Sequence, residues 1–477
     1  MPEPTAAARK PHARMDLTQG PIARTLLMFS LPVLGTSVLQ SLNGAINSIW
    51  VGRLIGPEAL AATTNATLVL LILLGLMFGI GMAGTILVGQ AVGAQDLPRA
   101  KRVVGSMLIF IVALSLAMAA GGYAAATPLL HAMGTPAQAL PLAEDYLRVV
   151  FLSIPFLYVF AFLVMVQRGA GDARTPFWFM TLATLLDLVL NPMLIAGIGP
   201  FPRLGIEGAA TSLLLSQATA MIAMVAFLYW RKADLRITRH ELHYLKPDPA
   251  LLWTSIVKGL PMGAQMLVIS SSGLVVMSMI NAHGVATAAA YAVATQIWIY
   301  VQMPAMAISA GVSSMAAQNV GAKKWDRVEK SARAGVLISV LLTGGSLALI
   351  YLFNPLIAGL FLPGQAQAIA AAVHINAIAG WSFILFGVTF VLFGVVRATG
   401  AVTPPLIILM ISLYGVRIGF AELLQPSWGA DAIWWSFPAS MIVSVALTLA
   451  YYRWGGWRKA QMEVGAPARQ TAAAEPA

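Results

Sequence analysis

Gln90-Ala-Val-Gly-Ala94, with Arg99 five residues beyond it, returns as Gln318-Asn-Val-Gly-Ala322 with Arg327, 228 positions later. Other anchors recur at nearly the same offset. Leu31-Pro32 matches Leu260-Pro261, Arg168-Gly-Ala-Gly171 matches Arg397-Ala-Thr-Gly400, and Pro176 matches Pro405, all 229 apart. Late in each half the offset falls to 224, where Gly205, Ser212 and Ser216 match Gly429, Ser436 and Ser440, as one shortened loop would require. Ordered matches at a near-constant offset mark an internal repeat. The chain is two copies of one unit.

Composition places that unit in a membrane. Of 477 residues, 59% are hydrophobic and only 10% are charged, against roughly 25% charged in ordinary globular chains. The charge lies in short clusters between apolar runs of 20 residues or more, each long enough to cross a hydrocarbon layer about 30 Å thick. With no cysteine there is neither a disulfide framework nor thiol chemistry. Eleven excess positive charges could suggest nucleic acid, but their placement between apolar runs argues for membrane orientation instead.

The apolar runs fall at about 26–52, 59–90, 104–127, 144–167, 177–198 and 206–230, then at 254–281, 286–317, 334–353, 369–395, 404–424 and 431–453. The expected fold is an all-α polytopic membrane protein of twelve transmembrane helices. They form two six-helix lobes. Six spans per copy is an even number, so both copies enter the bilayer in the same sense. They are therefore expected to be related by a pseudo-two-fold axis along the membrane normal. With both termini in the cytoplasm, 25 of the 29 Lys and Arg fall on the inner side, and only Arg53 and Arg203 fall in outer loops. That asymmetry sets the orientation.

The expected domains are a cytoplasmic arm (1–25), an N-lobe (26–230), a cytoplasmic linker (231–253), a C-lobe (254–453) and a cytoplasmic, largely disordered tail (454–477). Residues 1–20 have no apolar core before a small-residue cleavage site and are not expected to be a signal peptide.

A carboxylate in hydrocarbon costs about 2.5–3.5 kcal/mol on insertion scales and is by default a functional residue. Asp187, midway along the fifth span, is that residue. Removal from water disfavours its charged form, which suits exchange of a proton or binding of a cation. The bland alternative is an acid held by a buried hydrogen bond for packing. Asn191 is one turn on and Thr184 flanks the same face. Pro192 leaves the Leu188 carbonyl without its helical donor. In the first span Gln40, Asn43 and Asn47 are spaced three and four apart along one face.

Other polar residues read mostly as structural. Glu207 and Asp431 start equivalent spans, where an acid stabilises a helix N-terminus. Arg417 lies inside the eleventh span, with Glu422 as an awkwardly spaced partner. It is counted as the one interior base. His374 reads as interfacial. Tyr300, Met303, Met306 and Trp381 suit either lipid contact or an adaptable apolar cavity. Pro32 and Pro261 each break a bond early in helices one and seven. No metal site, catalytic triad or phosphate loop is present, so no enzyme and no cofactor is expected.

Taken together these motifs resemble the multidrug and toxic compound extrusion (MATE) family. The resemblance rests on Val51-Gly-Arg-Leu-Ile-Gly56, Ala59-Leu-Ala-Ala62, Gly89-Gln-Ala-Val-Gly-Ala94, Gly169-Ala-Gly-Asp172, Asn191-Pro-Met-Leu-Ile195 and Gly205-Ile-Glu-Gly-Ala-Ala210, in family order over residues 16–460. It implies a V-shaped, two-lobed exporter that expels organic cations from a central cavity against inward H⁺ or Na⁺. It also implies an N-lobe ion site at Gln40, Asn47, Asp187 and Asn191, with Ser212 near a hydroxyl position, and a bend of the first helix at Pro32. Many members carry Asp where this chain has Asn47. The DinF-like branch adds Asn-x-x-x-Asp on the fifth helix; here the order is Asp187-x-x-x-Asn191. The NorM-like branch has acids in the seventh and tenth helices, where this chain has none. The chain is therefore closer to the DinF-like branch, and one carboxylate among amides fits H⁺ at least as well as Na⁺.

The expected protein is a monomeric, multi-pass antiporter of the plasma membrane (the inner membrane in a Gram-negative cell). Its partners would be small organic, cationic substrates and the lipid bilayer, not nucleic acid. The alternative is a flippase for a lipid-linked oligosaccharide, which would line its cavity with basic residues.

Overall fold

A computed structural model describes residues 15–132, 134–135, 139–362 and 364–462, with part of the side chains between 57 and 71 left out. Residues 1–14 of the expected arm and 463–477 of the expected tail lie outside the described residues; the tail's start holds a short 3₁₀ turn, Gly456–Lys459, with Trp457 buried. Among the described residues there is no strand. In hydrocarbon each backbone group must be bonded within the protein, and a helix achieves that within one segment.

The first copy contains α1 (Ile22–Leu54), α2 (Pro57–Gly93), α3 (Leu97–Ala132), α4 (Leu140–Gly169), α5 (Arg174–Ala196) and α6 (Ile206–Trp230). A short 3₁₀ turn, Arg239–Leu245, interrupts the polar connection. The second copy contains α7 (Pro249–Asn281), α8 (Val285–Gly321), α9 (Trp325–Leu352), α10 (Asn354–Phe361), α11 (Ala366–Ala379), α12 (Ser382–Ala398), α13 (Thr403–Met410), α14 (Gly419–Trp428) and α15 (Asp431–Trp454). Most helices overrun the apolar runs by several residues, because a helix continues past the hydrocarbon until a cap or loop stops it. At α5 that stop is Gly197, whose φ of 72° is the left-handed C-terminal turn glycine favours.

Ten of these segments are long and apolar enough to cross a membrane alone, and α11 with α12, bent by 48°, make an eleventh. The twelfth is α8, whose 37 residues are long enough but diluted by Ala, Gly, Ser and Gln. The tenth span is thus broken at Gly380-Trp381 rather than continuous. The eleventh is a single rod in which Ile411–Ile418, between α13 and α14, is wound as a wider π-helix. Pro32 and Pro261 both lie inside unbroken helices, α1 and α7.

Each copy packs as its own bundle: α3 on α4, α5 on α6 and α1 on α5 in the first, and α8 on α9 and α12, with α12 on α15, in the second. Between the lobes α2 packs on α7 and α8, and α1 on α8. Small residues allow that approach. A Cβ added to Gly259 of α7 would lie 3.0 Å from the Gly79 carbonyl of α2.

Candidate functional site

Inside the N-lobe, α1, α4, α5 and α6 converge on Asp187, which is only 5% exposed. Ser212 of α6 donates from Oγ to Asp187 Oδ1 at 2.6 Å. Asn191 Nδ2 donates to Asn47 Oδ1 at 2.7 Å, tying α5 to α1. Asn43 lies beside the carboxylate, and Tyr146 of α4 faces both Asn47 and Asp187. No cation pairs with Asp187 among the described residues. A buried carboxyl ringed by hydroxyls and amides can take up a proton or a small hard cation, since each neighbour offers an oxygen or an N–H and none competes as a base.

The structure therefore brings together Asp187, Asn191, Asn47, Asn43 and Ser212. It does not bring Gln40 to them. Gln40 faces a central cavity instead, and Thr184, half-buried, makes no hydrogen bond to the group among the described residues. Ser212, a minor member in the sequence reading, is the nearest hydrogen-bond partner of the acid. Tyr146 was missed; it stands at the start of the fourth span among Glu144, Asp145 and Arg148, where nothing in the sequence points it toward Asp187.

The central cavity, roughly 300 Å³, lies between the lobes. Its walls come from α1, α2 and α4 on one side and α7, α8 and α12 on the other. Met82, Met165, Met262, Met266 and Met306 line it, together with Ser309, Ser313 and Ser314. So do Arg168 and Arg397, which the sequence reading counted with the cytoplasmic loops. That assignment to the loops is corrected, as is the count of one interior base. Depth along a helix places both residues near an end, but rotation about the helix turns them inward. Arg168 donates to Thr36 Oγ1 at 2.9 Å and Arg397 to Gln265 Oε1 at 3.2 Å. Thr36 and Gln265 are themselves 229 apart, so the two contacts are repeat copies.

Next to these arginines the repeated Gln motif closes one end of the interface. Gln90 Nε2 donates to the Ala398 carbonyl at 2.8 Å, and Gln318 Nε2 to the Gly169 carbonyl at 2.9 Å. Ala398 and Gly169 end α12 and α4, so each glutamine satisfies an orphan carbonyl at a helix terminus of the opposite lobe. Gly93 packs on the Gln318 carbonyl and Gly321 on the Gln90 carbonyl with no room for a Cβ. Residues 15–20 cover this seal: Leu17 N donates to Gln318 Oε1 at 3.3 Å, and Asn319 Nδ2 to the Leu17 carbonyl at 3.0 Å.

In the C-lobe, Arg417 is 8% exposed in the π-wound stretch. Its Nε donates to Ser440 Oγ at 3.1 Å, and its guanidinium sits 4.3 Å from the Phe437 ring centre. Tyr291, Trp298 and Trp434 complete an aromatic surround. Glu422 is exposed and does not pair with Arg417 among the described residues. His374 bonds Asp431 at 2.9 Å, both exposed.

A family model described as MatE matches residues 32–193 and again 261–423. A probable multidrug resistance protein, YoeA, of Bacillus subtilis (strain 168) is 32% identical over 457 residues, covering 95% of this chain and 98% of the relative. An FAD transporter of Shewanella oneidensis is 29% identical over 319 residues, covering 67% of this chain and 70% of that one. Among solved structures, the outward-facing conformation of a multidrug resistance MATE family transporter of the MOP superfamily superposes with a TM-score of 0.85 at 22% identity, covering 93% of this chain and 98% of that one.

Proposed function

The chain belongs to the MatE family, and from that membership we propose that it is a secondary active antiporter, exporting small organic molecules in exchange for H⁺ by alternating access between its lobes. It is a multi-pass membrane transporter; the plasma membrane, cytoplasmic termini and a monomeric state belong to the proposal. The observation that carries the coupling is Asp187, buried without a cation partner among the described residues and bonded by Ser212.

Asp187 is not among the residues that line the central cavity. Cargo and coupling ion therefore meet different surfaces, and something must connect them. Helix α1 does so: Asn43 and Asn47 face the acid, while Val33, Ser37 and Gln40 face the cavity. Loading of Asp187 changes what α1 packs against, and Pro32, which cannot donate to its preceding turn, is where the helix yields. The glutamine seal breaks when the cavity opens to the cytoplasm and re-forms when it opens outward.

A cationic cargo finds no carboxylate among the described cavity residues. The flippase reading gains from the same lining, through Arg168 and Arg397, and is kept as the alternative. The test is purified protein in liposomes under an imposed pH gradient, with and without Na⁺. Efflux of a fluorescent substrate should follow the pH gradient and ignore Na⁺; efflux driven by Na⁺ alone would sink the H⁺ assignment.

A further inference from the structure

Arg168 and Arg397 are an unusual pair to leave in a cavity. Arg397 is 5% exposed, and the Nε atoms of both side chains are buried without a hydrogen-bond partner. Neither guanidinium meets a carboxylate among the described residues. The described lining holds no Asp, Glu, Lys or His. The helix ends beside them offset part of the charge. Arg168 and Arg397 stand in the last turns of α4 and α12, where each macrodipole presents roughly half a negative charge. Two cations against about one unit of opposing charge leave the cavity net positive by about one. Each guanidinium has five N–H donors, and the single hydrogen bonds to Thr36 and Gln265 occupy few of them.

We propose that this end of the central cavity is an anion subsite. In it Arg168 and Arg397, one from each lobe, clamp the acidic head (carboxylate, sulfonate or phosphate) of an amphipathic cargo. The apolar body of that cargo lies against the methionines, which adapt to varied shapes. Because guanidinium forks match carboxylate and phosphate oxygens, one head can bridge the lobes beside the Gln90 and Gln318 seal. The inference rests on the reading of the chain as an exporter and replaces organic cations with organic anions as its principal cargo.

The test is equilibrium binding, followed by fluorescence anisotropy, of carboxyfluorescein and of a cationic rhodamine with the same ring system to purified full-length protein. Carboxyfluorescein is expected to bind at least tenfold more tightly than the rhodamine. Arg168→Gln and Arg397→Gln should each weaken it roughly tenfold or more, while Arg168→Lys and Arg397→Lys, which keep the charge but lose the fork, should weaken it less than the glutamine variants do. Should the glutamine variants not purify as single species, displacement from the wild type decides. Displacement by inorganic pyrophosphate points to soluble anions, and displacement by dihexanoyl-phosphatidylglycerol but not by the phosphatidylcholine points to a lipid head. Preference for the rhodamine, unchanged binding in both glutamine variants, or displacement by neither anion overturns the proposal. No gradient is involved. A failure of H⁺ coupling with dye binding intact would count against the antiport reading and leave the anion subsite standing.

Discussion

In the N-lobe the fifth span buries an acid among hydroxyls and amides; in the C-lobe its repeat copy buries a base among aromatic rings. Arg417 lies one residue beyond the position that the 229-residue offset assigns to Asp187, within the wider π winding. Both reach a serine on the last helix of their own lobe, Ser212 at 2.6 Å and Ser440 at 3.1 Å. The frame is shared and the sign of the charge is reversed. At the seal and beside it the copies have stayed alike: Gln90 with Gln318, Gly93 with Gly321, Arg168 with Arg397. Reciprocal contacts such as the glutamine pair constrain both copies at once, whereas each lobe interior is free to change alone.

The sharpest break would come at the two buried charges. Asp187→Asn is expected to lower gradient-driven transport on the order of a hundredfold, the scale of losing a proton-transferring group. Arg417→Gln should leave the ratio of protons to cargo unchanged and alter the rate by less than about tenfold, as loss of a cation–π contact and one hydrogen bond allows. Proton flux and cargo efflux measured together in liposomes decide it. Equal losses would mean that the charges act as one system.

The seal should behave in the opposite way. Gly93→Val and Gly321→Val each force side-chain atoms into the facing glutamine carbonyl, a strain on the order of 1–3 kcal/mol. Each is expected to cut the sealed population roughly five- to a hundredfold, and to do so equally. Labelling of a cysteine introduced at Ser313 by a reagent added to the cytoplasmic face reports it. Unequal labelling would show that the seal is not symmetric.

The smallest effect lies outside the membrane, where Lys101 Nζ meets Glu241 Oε1 at 2.6 Å. The Lys101 bond first, then the Thr238 backbone and hydroxyl, hold the Glu241 carboxyl down at about 2, from an ordinary 4.5. A lowered carboxyl stabilises the fold above its unfolded value and loses that contribution as pH falls from about 4.5 through 2. Glu241→Gln should destabilise by less than about 1 kcal/mol. Unfolding midpoints of variant and wild type should differ at neutral pH, draw together as pH falls below about 4.5, and converge only below about pH 2. A difference that persists there would mean that Glu241 acts through packing.

Much of this is legible in the amino-acid sequence. The repeat announced two lobes because it kept its order, and Asp187, Asn191 and Asn47 stood out because polar groups in hydrocarbon are costly. The rest was hidden for one recurring reason: a residue's place along a helix is readable, but its rotation toward another segment is not. Arg168 and Arg397 look like ordinary basic residues at helix ends. Gln40 shares a sequence face with Asn43 and Asn47, yet over seven residues α1 passes from cavity to acid. The break at Gly380-Trp381 and the π winding leave the apolar composition unchanged, so hydropathy does not register them.

The glutamine seal has one more implication. A residue of one copy binds the end of a helix in the other, and the favour is returned at the matching place: this is the form of an isologous interface between two identical subunits. A single half-length copy, paired with itself about the same axis, would make both bonds from one glutamine. A single chain that carries both copies has no requirement that the halves be identical, yet it keeps the reciprocal contact that joins them. An acid could then arise in one lobe and a base in the other, which no symmetric dimer could have held apart.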